Sequence, residues 1–119
     1  MRYPAGKNLR LTRRNDLDRV FKKGRRAVNA CMTLLAVPNG LDYARVAVVV
    51  SKGHGGAVRR NRIKRLCREA FRLLRPELPT TWDFVIMPRK NVEITLAGLQ
   101  QSLRMLAAKV TEVRGADPS

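Results

Sequence analysis

The sequence has 119 residues, 45% of them hydrophobic, which is long and apolar enough for one domain with a buried core. Its 25 Lys and Arg against 9 Asp and Glu give a formal net charge of +16, which favours nucleic acid as a partner. No apolar run is longer than Val46–Val50, too short for a membrane span, and the basic start lacks the apolar segment of a secretory signal, so we expect a cytoplasmic protein. A monomer is the default expectation.

The elements predicted in chain order describe one α+β domain over the whole chain. A basic arm at residues 1–11 leads to a helix over Arg13–Lys23, with Thr12 as its N-cap and Gly24 as its stop. β-Branched and apolar residues then predict strand structure over Val28–Val37, as one strand or as two short ones.

The second half continues with a strand over Arg45–Ser51, a glycine-rich turn and a strongly basic helix. Trp82–Met87 has the composition of a buried strand, Thr95 caps a last helix that ends near Val110, and residues 114–119 form a tail. The order helix, two or three strands, helix, strand, helix predicts a two-layer α+β arrangement, with two helices over one face of a small sheet and the other elements lining a cleft.

The basic helix has one apolar and one basic side when its residues are plotted at 100° each. The apolar side consists of Ile63, Leu66, Cys67, Ala70, Phe71, Leu73 and Leu74, and the basic side of Asn61, Lys64, Arg65, Arg68 and Arg72. Glu69 is the single acid of this helix, spaced to brace both Arg65 and Arg72. Because solvated charged faces usually mix signs, this ridge favours contact with RNA or DNA.

The glycines before this helix, Gly53, Gly55 and Gly56, fit two interpretations. They suit a cradle of backbone N–H groups for a phosphate, or a tight strand-to-helix turn. We favour the turn by roughly two to one, because the segment matches no complete phosphate-loop or dinucleotide-binding motif.

The sequence offers no evident catalytic machinery. His54 is the one histidine, and the acids are scattered singly apart from Asp16 and Asp18, so neither a histidine pair for acid–base catalysis nor a metal site is indicated. Aromatic stacking platforms are few, and Phe21 fits either a core position or the floor of a groove.

Three runs of residues resemble the signature of the bacterial ribonuclease P protein subunit. They are Val50-Ser51-Lys52, Gly56-Ala57-Val58-Arg59-Arg60-Asn61-Arg62-Ile63-Lys64-Arg65, and Arg68-Glu69-Ala70-Phe71-Arg72. The resemblance extends from about Leu9 to about Lys109 and includes the strand Trp82–Ile86.

The resemblance implies a two-layer α/β sandwich of α-β-β-β-α-β-α order with a left-handed crossover, similar to a domain of a small-subunit ribosomal protein. It implies a monomer that binds the RNase P RNA one to one and assists removal of the 5′ leader from precursor tRNA. The RNA would supply catalysis with its Mg²⁺, and the protein alone would bind no cofactor. The residues implied to contact the catalytic RNA are Lys52, Arg59, Arg60, Asn61, Arg62, Lys64, Arg65, Arg68 and Arg72. Those implied to line the leader-binding cleft are Arg13, Leu17, Phe21, Leu35, Val48 and Val50.

The chain departs from the family pattern in two places. Family members often have aromatics where this chain has Leu17 and Leu35, so stacking on the leader would rest on Phe21 alone. The common V-S-K-K run has Gly53 as its fourth residue here, which removes one cation beside the basic helix.

Two other classes of protein fit the charge. A structural ribosomal protein explains the basic residues equally well but not the spacing of the signature. A protein-only nuclease is the third candidate, and it lacks an identifiable acid–base pair.

Overall fold

The computed structural model describes residues 10–112, so most of the predicted arm and the predicted tail lie outside the described residues. Its elements are α1 (Arg14–Lys23), β1 (Arg25–Val28), β2 (Met32–Pro38), β3 (Arg45–Val48), α2 (Ala57–Leu74), β4 (Trp82–Pro88) and α3 (Leu96–Val110). Short 3₁₀ turns lie at Lys52–His54 and Arg75–Glu77. The predicted element order is confirmed. The stretch predicted as strand over Val28–Val37 contains β2, but β1 begins three residues earlier and shares only Val28 with it, so Arg25–Ala27 were missed as strand.

The four strands form one sheet in the order β1-β2-β4-β3. The β1–β2 and β2–β4 pairs are antiparallel, and β3 and β4 are parallel. Parallel neighbours need a long crossover connection. Here α2 is that connection, so the basic helix is held at both ends by strands of the sheet.

Alternation along the strands sorts the sheet side chains onto two faces. On the face covered by α2 and α3, residues such as Leu34, Val46 and Phe84 are buried in the larger core. Phe71 of α2 meets Phe84 edge to face, with ring centroids 6.2 Å apart. The opposite face, which we call the open face, carries Leu35 and Val85 and is covered by α1 at one end.

The helix ends agree only in part with the predicted caps. Arg13, not Thr12, is the N-cap of α1, and its side chain makes no capping hydrogen bond. Gly24 follows α1 with an ordinary φ of −70°, and glycine is needed there because a Cβ would lie 2.3 Å from the carbonyl oxygen of Val20. The Thr95 cap is confirmed, since its Oγ1 accepts a hydrogen bond from the Gly98 N–H at 3.1 Å.

The apolar side of α2 is confirmed at all positions but one. Ile63, Cys67, Ala70, Phe71 and Leu74 are buried, and Leu66 is half-buried. Leu73 is 41% exposed, so its assignment to the core was wrong. It is turned 100° from Leu74 around the helix, past the edge of the buried stripe.

Burial of Cys67 predicts a large difference in reactivity between the two free thiols. Desolvation, with a smaller contribution from Cys31, raises the pKa of the Cys67 thiol to about 12. Because the thiolate is the reactive form, we expect iodoacetamide at pH 8 to modify the half-buried Cys31 and to spare Cys67 until the protein is unfolded in urea. Mass spectrometry of native and unfolded samples measures this, with Cys31→Ser as the control; rapid native labelling of Cys67 contradicts its burial.

Candidate nucleic-acid-binding surface

Eight of the nine residues predicted to contact the catalytic RNA lie on α2, and Lys52 lies in the 3₁₀ turn before it. Five of these eight form two rows at i, i+4 spacing. The outer row contains Asn61 and Arg65, both exposed, and the inner row contains Arg60, Lys64 and Arg68, all half-buried. The side chains of the helix that could contact RNA therefore differ in exposure, with one exposed row and one half-buried row.

Glu69 and Arg72 extend the outer row as an ion pair. Arg72 donates to both carboxylate oxygens of Glu69, at 2.9 and 2.7 Å, and this hydrogen bonding lowers the pKa of Glu69 and raises that of Arg72. Among the described residues Glu69 makes no such bond to Arg65, so the predicted double brace is wrong. Arg65 is left available to an external anion.

The turn before α2 is fixed by His54. Its Nε2 lies 2.8 Å from the carbonyl oxygen of Pro88, which can only accept, so Nε2 carries the proton and donates. Its Nδ1 accepts from the backbone N–H of Ser51 at 3.1 Å. The buried ring thus joins the turn that carries Lys52 to the end of β4, and a structural role accounts for it.

The glycines of this turn support the tight-turn interpretation. Gly55 has φ of +120°, a conformation that side chains rarely adopt, and a Cβ there would lie 2.7 Å from the side chain of Arg59. Arg59 in turn donates from Nε to the His54 carbonyl oxygen at 2.9 Å. Gly56 is the N-cap of α2. The turn itself accounts for Gly55, whereas Gly56 has an ordinary φ of −72° and a Cβ there would meet no atom within 4 Å.

Gly53 leaves space that Lys90 occupies. A Cβ at position 53 would lie 2.7 to 2.8 Å from the last two carbons and the ammonium nitrogen of Lys90. The cation that is missing at position 53 is therefore replaced in space by one from the segment after β4. Sequence reasoning missed Lys90 and its neighbour Arg89, although two basic residues directly after the strand-ending Pro88 were a usable signal.

Arg89 and Lys90 border a cavity of about 510 Å³ at one end of the open face. Its walls include Val49 and Met87, and Arg89 and Lys90 lie at its rim. Apolar walls with cations at the edge suit a nucleotide, whose base is apolar on its faces and whose phosphate is charged.

At the other end of the open face, α1 supplies the predicted cleft residues. Leu17 packs against the small core that contains Leu35, so both contribute to its floor. Phe21 is 47% exposed on α1, and Arg13 is exposed at its start. The structure therefore favours the groove interpretation of Phe21.

Two predicted cleft residues lie on the wrong side of the sheet. Val48 pairs with Ile86 and is buried under the helices, and Val50 packs against the same core. Because side chains alternate along a strand, the residues that point to the open face are Ala47 and Val49. The prediction was displaced by one residue.

A buried carboxylate holds α1 against the sheet. Asp83 is fully buried and accepts hydrogen bonds from Arg45 at 2.8 and 2.7 Å and from Asn39 at 2.9 Å. Arg19 of α1 reaches the same carboxylate at 3.4 Å, and Asp16 of α1 lies 3.5 Å from Arg45. Hydrogen bonding to Asp83 raises the pKa of Arg45. The cluster fixes the position of α1 relative to the open face.

Within residues 10–112, no three His, Cys, Asp or Glu side chains are grouped as a metal site would require. The carboxylate of Asp83 is occupied by guanidinium and amide donors. No helix in this range is long and apolar enough to cross a bilayer.

Comparison with known proteins gives consistent matches. The model of the Ribonuclease P family matches residues 6–111. Two relatives named ribonuclease P protein component come from Petrotoga mobilis, 38% identical over 96 residues with 81% of each chain covered, and from Roseiflexus castenholzii, 38% identical over 109 residues with 90% of this chain and 89% of the relative covered.

Solved structures extend the similarity to three dimensions. The RNase P protein from Thermotoga maritima gives a TM-score of 0.77 at 33% identity, covering 85% of this chain and 96% of its own. The RNase P protein from Staphylococcus aureus gives 0.74 at 30% identity, covering 88% of this chain and 96% of its own.

Proposed function

This chain belongs to the ribonuclease P protein family, and we propose that it binds a catalytic RNA and the 5′ leader of precursor tRNA, assisting cleavage that yields mature tRNA 5′ ends. The observation that carries the proposal is α2, which presents seven Arg and Lys between Arg59 and Arg72 against the single acid Glu69. Bringing two RNAs together is opposed by phosphate repulsion, and such a ridge offsets it.

The catalytic RNA would lie along α2. Arg62 and Arg65 are exposed, and the inner row begins at Arg60, whose Nε is buried with no hydrogen-bond partner among the described residues. A buried guanidinium donor without a partner is unfavourable, and an outward rotation of this half-buried side chain would give it a phosphate oxygen as its acceptor. This supports a direct contact between α2 and RNA phosphates.

The single-stranded leader would lie across the open face. Phe21 offers an exposed ring for base stacking, and Leu17 and Leu35 form an apolar floor beside it. At the far end, Lys90 would contact leader phosphates, while Lys52 stays assigned to the catalytic RNA. The revised cleft thus includes Ala47 and Val49 in place of Val48 and Val50.

Hydrolysis would be performed by the RNA subunit. The described acids of this chain do not form a site for Mg²⁺, so the protein residues do not fit a metal-dependent nuclease centre. The contribution of the protein is to bind and to position RNA. We further propose a monomer in a one-to-one complex with the RNA, acting in the cytoplasm.

Reconstitution tests this function. We expect the purified protein to restore cleavage of precursor tRNA by its cognate catalytic RNA at Mg²⁺ concentrations where the RNA alone is slow. Absence of stimulation contradicts the proposal. Cleavage by protein alone, persisting after micrococcal nuclease treatment, would indicate a protein-only nuclease. Stoichiometric co-fractionation with ribosomal subunits would indicate a ribosomal protein.

A further inference from the structure

Arg10 and Arg68 line the same small cavity, although they are far apart in sequence. The cavity measures about 180 Å³ and lies where the segment before α1 passes beside β3 and α2. Its apolar wall includes Leu17, Val46 and Val49. None of the described residues that line it is acidic.

The position of Arg10 is set by the backbone. Arg10 forms a parallel bridge with Val46, and the next residue, Leu11, donates its N–H to the Val46 carbonyl oxygen at 2.8 Å. Arg68 is held from the other side, because α2 is packed on the sheet through Cys67 and Phe71. Two rigid attachments therefore keep two cations at one cavity.

The electrostatics of this pair are unfavourable without a third group. The pKa of Arg68 is lowered, first by desolvation and then by the charge of Arg10. Within the described residues, neither guanidinium forms an ion pair with a carboxylate. An anion between them would remove the repulsion and would be held strongly, because the apolar wall weakens the screening by water.

We propose that Arg10 and Arg68 together hold one phosphodiester group of RNA in this cavity. The cavity of about 180 Å³ has room for a phosphate group, which has five heavy atoms, since one water molecule takes about 30 Å³ of liquid volume. Guanidinium groups are well suited to phosphate because they donate two parallel hydrogen bonds. The cavity lies between the α1 cleft and the α2 ridge, so the proposal rests on the proposed function and adds Arg10 to it.

The test is whether the two arginines share one phosphate. The variants are Arg10→Gln, Arg68→Gln and the double variant, which remove the charge and keep a polar side chain. For RNA binding, each neutralised phosphate contributes roughly 0.7 to 0.9 to the slope of log K against log salt. We expect the double variant to lose the slope of one phosphate, and each single variant to lose less, because the remaining arginine still holds the group. A loss equal to two phosphates in the double variant overturns the proposal.

A charge-matched control is Arg104→Gln with Lys109→Gln, two exposed residues of α3. A slope change in the Arg10/Arg68 double variant no larger than that of the control overturns the proposal. Thermal melting followed by circular dichroism shows that the variants fold, and we expect no loss of stability because a repulsion is removed. Wild-type protein that fails to bind or to stimulate cleavage contradicts the proposed function itself, and is measured first.

The source of the phosphate is distinguished by two further measurements. If the phosphate belongs to the leader, one neutral methylphosphonate linkage placed at successive leader positions should weaken binding of the wild-type protein at one position. The same linkage should not weaken binding of the double variant. If the phosphate belongs to the catalytic RNA, the double variant should already show the smaller salt slope when it binds that RNA without substrate. Either result supports the shared site, and absence of both overturns it.

Discussion

Replacing Asp83 by Asn is expected to lower the free energy of unfolding by about 3 kcal/mol, the low end of the range for removing one partner of a buried ion pair. The low end applies because Arg45 remains 17% exposed and retains some contact with water. Asn keeps the shape of Asp but cannot neutralise Arg45 and Arg19. Urea unfolding followed by the fluorescence of the single tryptophan, Trp82, measures the loss.

The matched control is Glu77→Gln, which removes an acid whose ion pair with Arg104 is more than half exposed. That change is expected to lower stability by less than about 1 kcal/mol. Amide hydrogen exchange should also become faster in α1 in the Asp83 variant, because Arg19 loses its ion pair and Arg45, the partner of Asp16, loses the carboxylate that positions it. Equal effects of the two substitutions would show that the buried cluster does not hold the fold.

Phe21→Ala is expected to weaken binding of leader-bearing precursor tRNA roughly 5- to 150-fold, since stacking of one base on an aromatic ring contributes about 1–3 kcal/mol. The effect should be this large because Leu17 and Leu35 provide no second ring. Stability should change little, because the Phe21 side chain is 47% exposed and its truncation opens no buried cavity. Equilibrium binding to the reconstituted ribonucleoprotein measures the affinity.

Two comparisons make this result specific to stacking. Mature tRNA, which lacks the leader, should bind the variant and wild type equally. Phe21→Trp should retain affinity, whereas Phe21→Leu, which keeps apolar bulk without a ring, should not. If Leu restores binding as well as Trp does, the contact is hydrophobic rather than aromatic.

The sequence predicts α2 well because its pattern is local and strongly periodic. Cys67 and Phe71 are one turn apart, and so are Asn61 and Arg65, so the 3.6-residue repeat separates core from ridge without knowledge of the rest of the chain. The face of β3 was harder to predict. Val46–Val50 is apolar at every position, so no alternation with polar residues marks which side chains point to the helices.

Contacts between distant segments were outside the reach of sequence patterns. His54 depends on the carbonyl group of Pro88, and Lys90 fills the space above Gly53, yet neither pairing leaves a periodic signal. Asp83 looked like a lone acid in an apolar strand, and only the sheet register brings Arg45 beside it. These are the contacts that set the geometry of the open face.

The crossover role of α2 has a consequence for the thermodynamics of assembly. Since this helix joins two parallel strands and buries five side chains in the core, its cations are already arranged before any partner arrives. Little conformational entropy of the protein backbone is then lost on association. The conformational change on binding should therefore occur mainly in the nucleic acid. The protein should act as a rigid template on which flexible RNA becomes ordered.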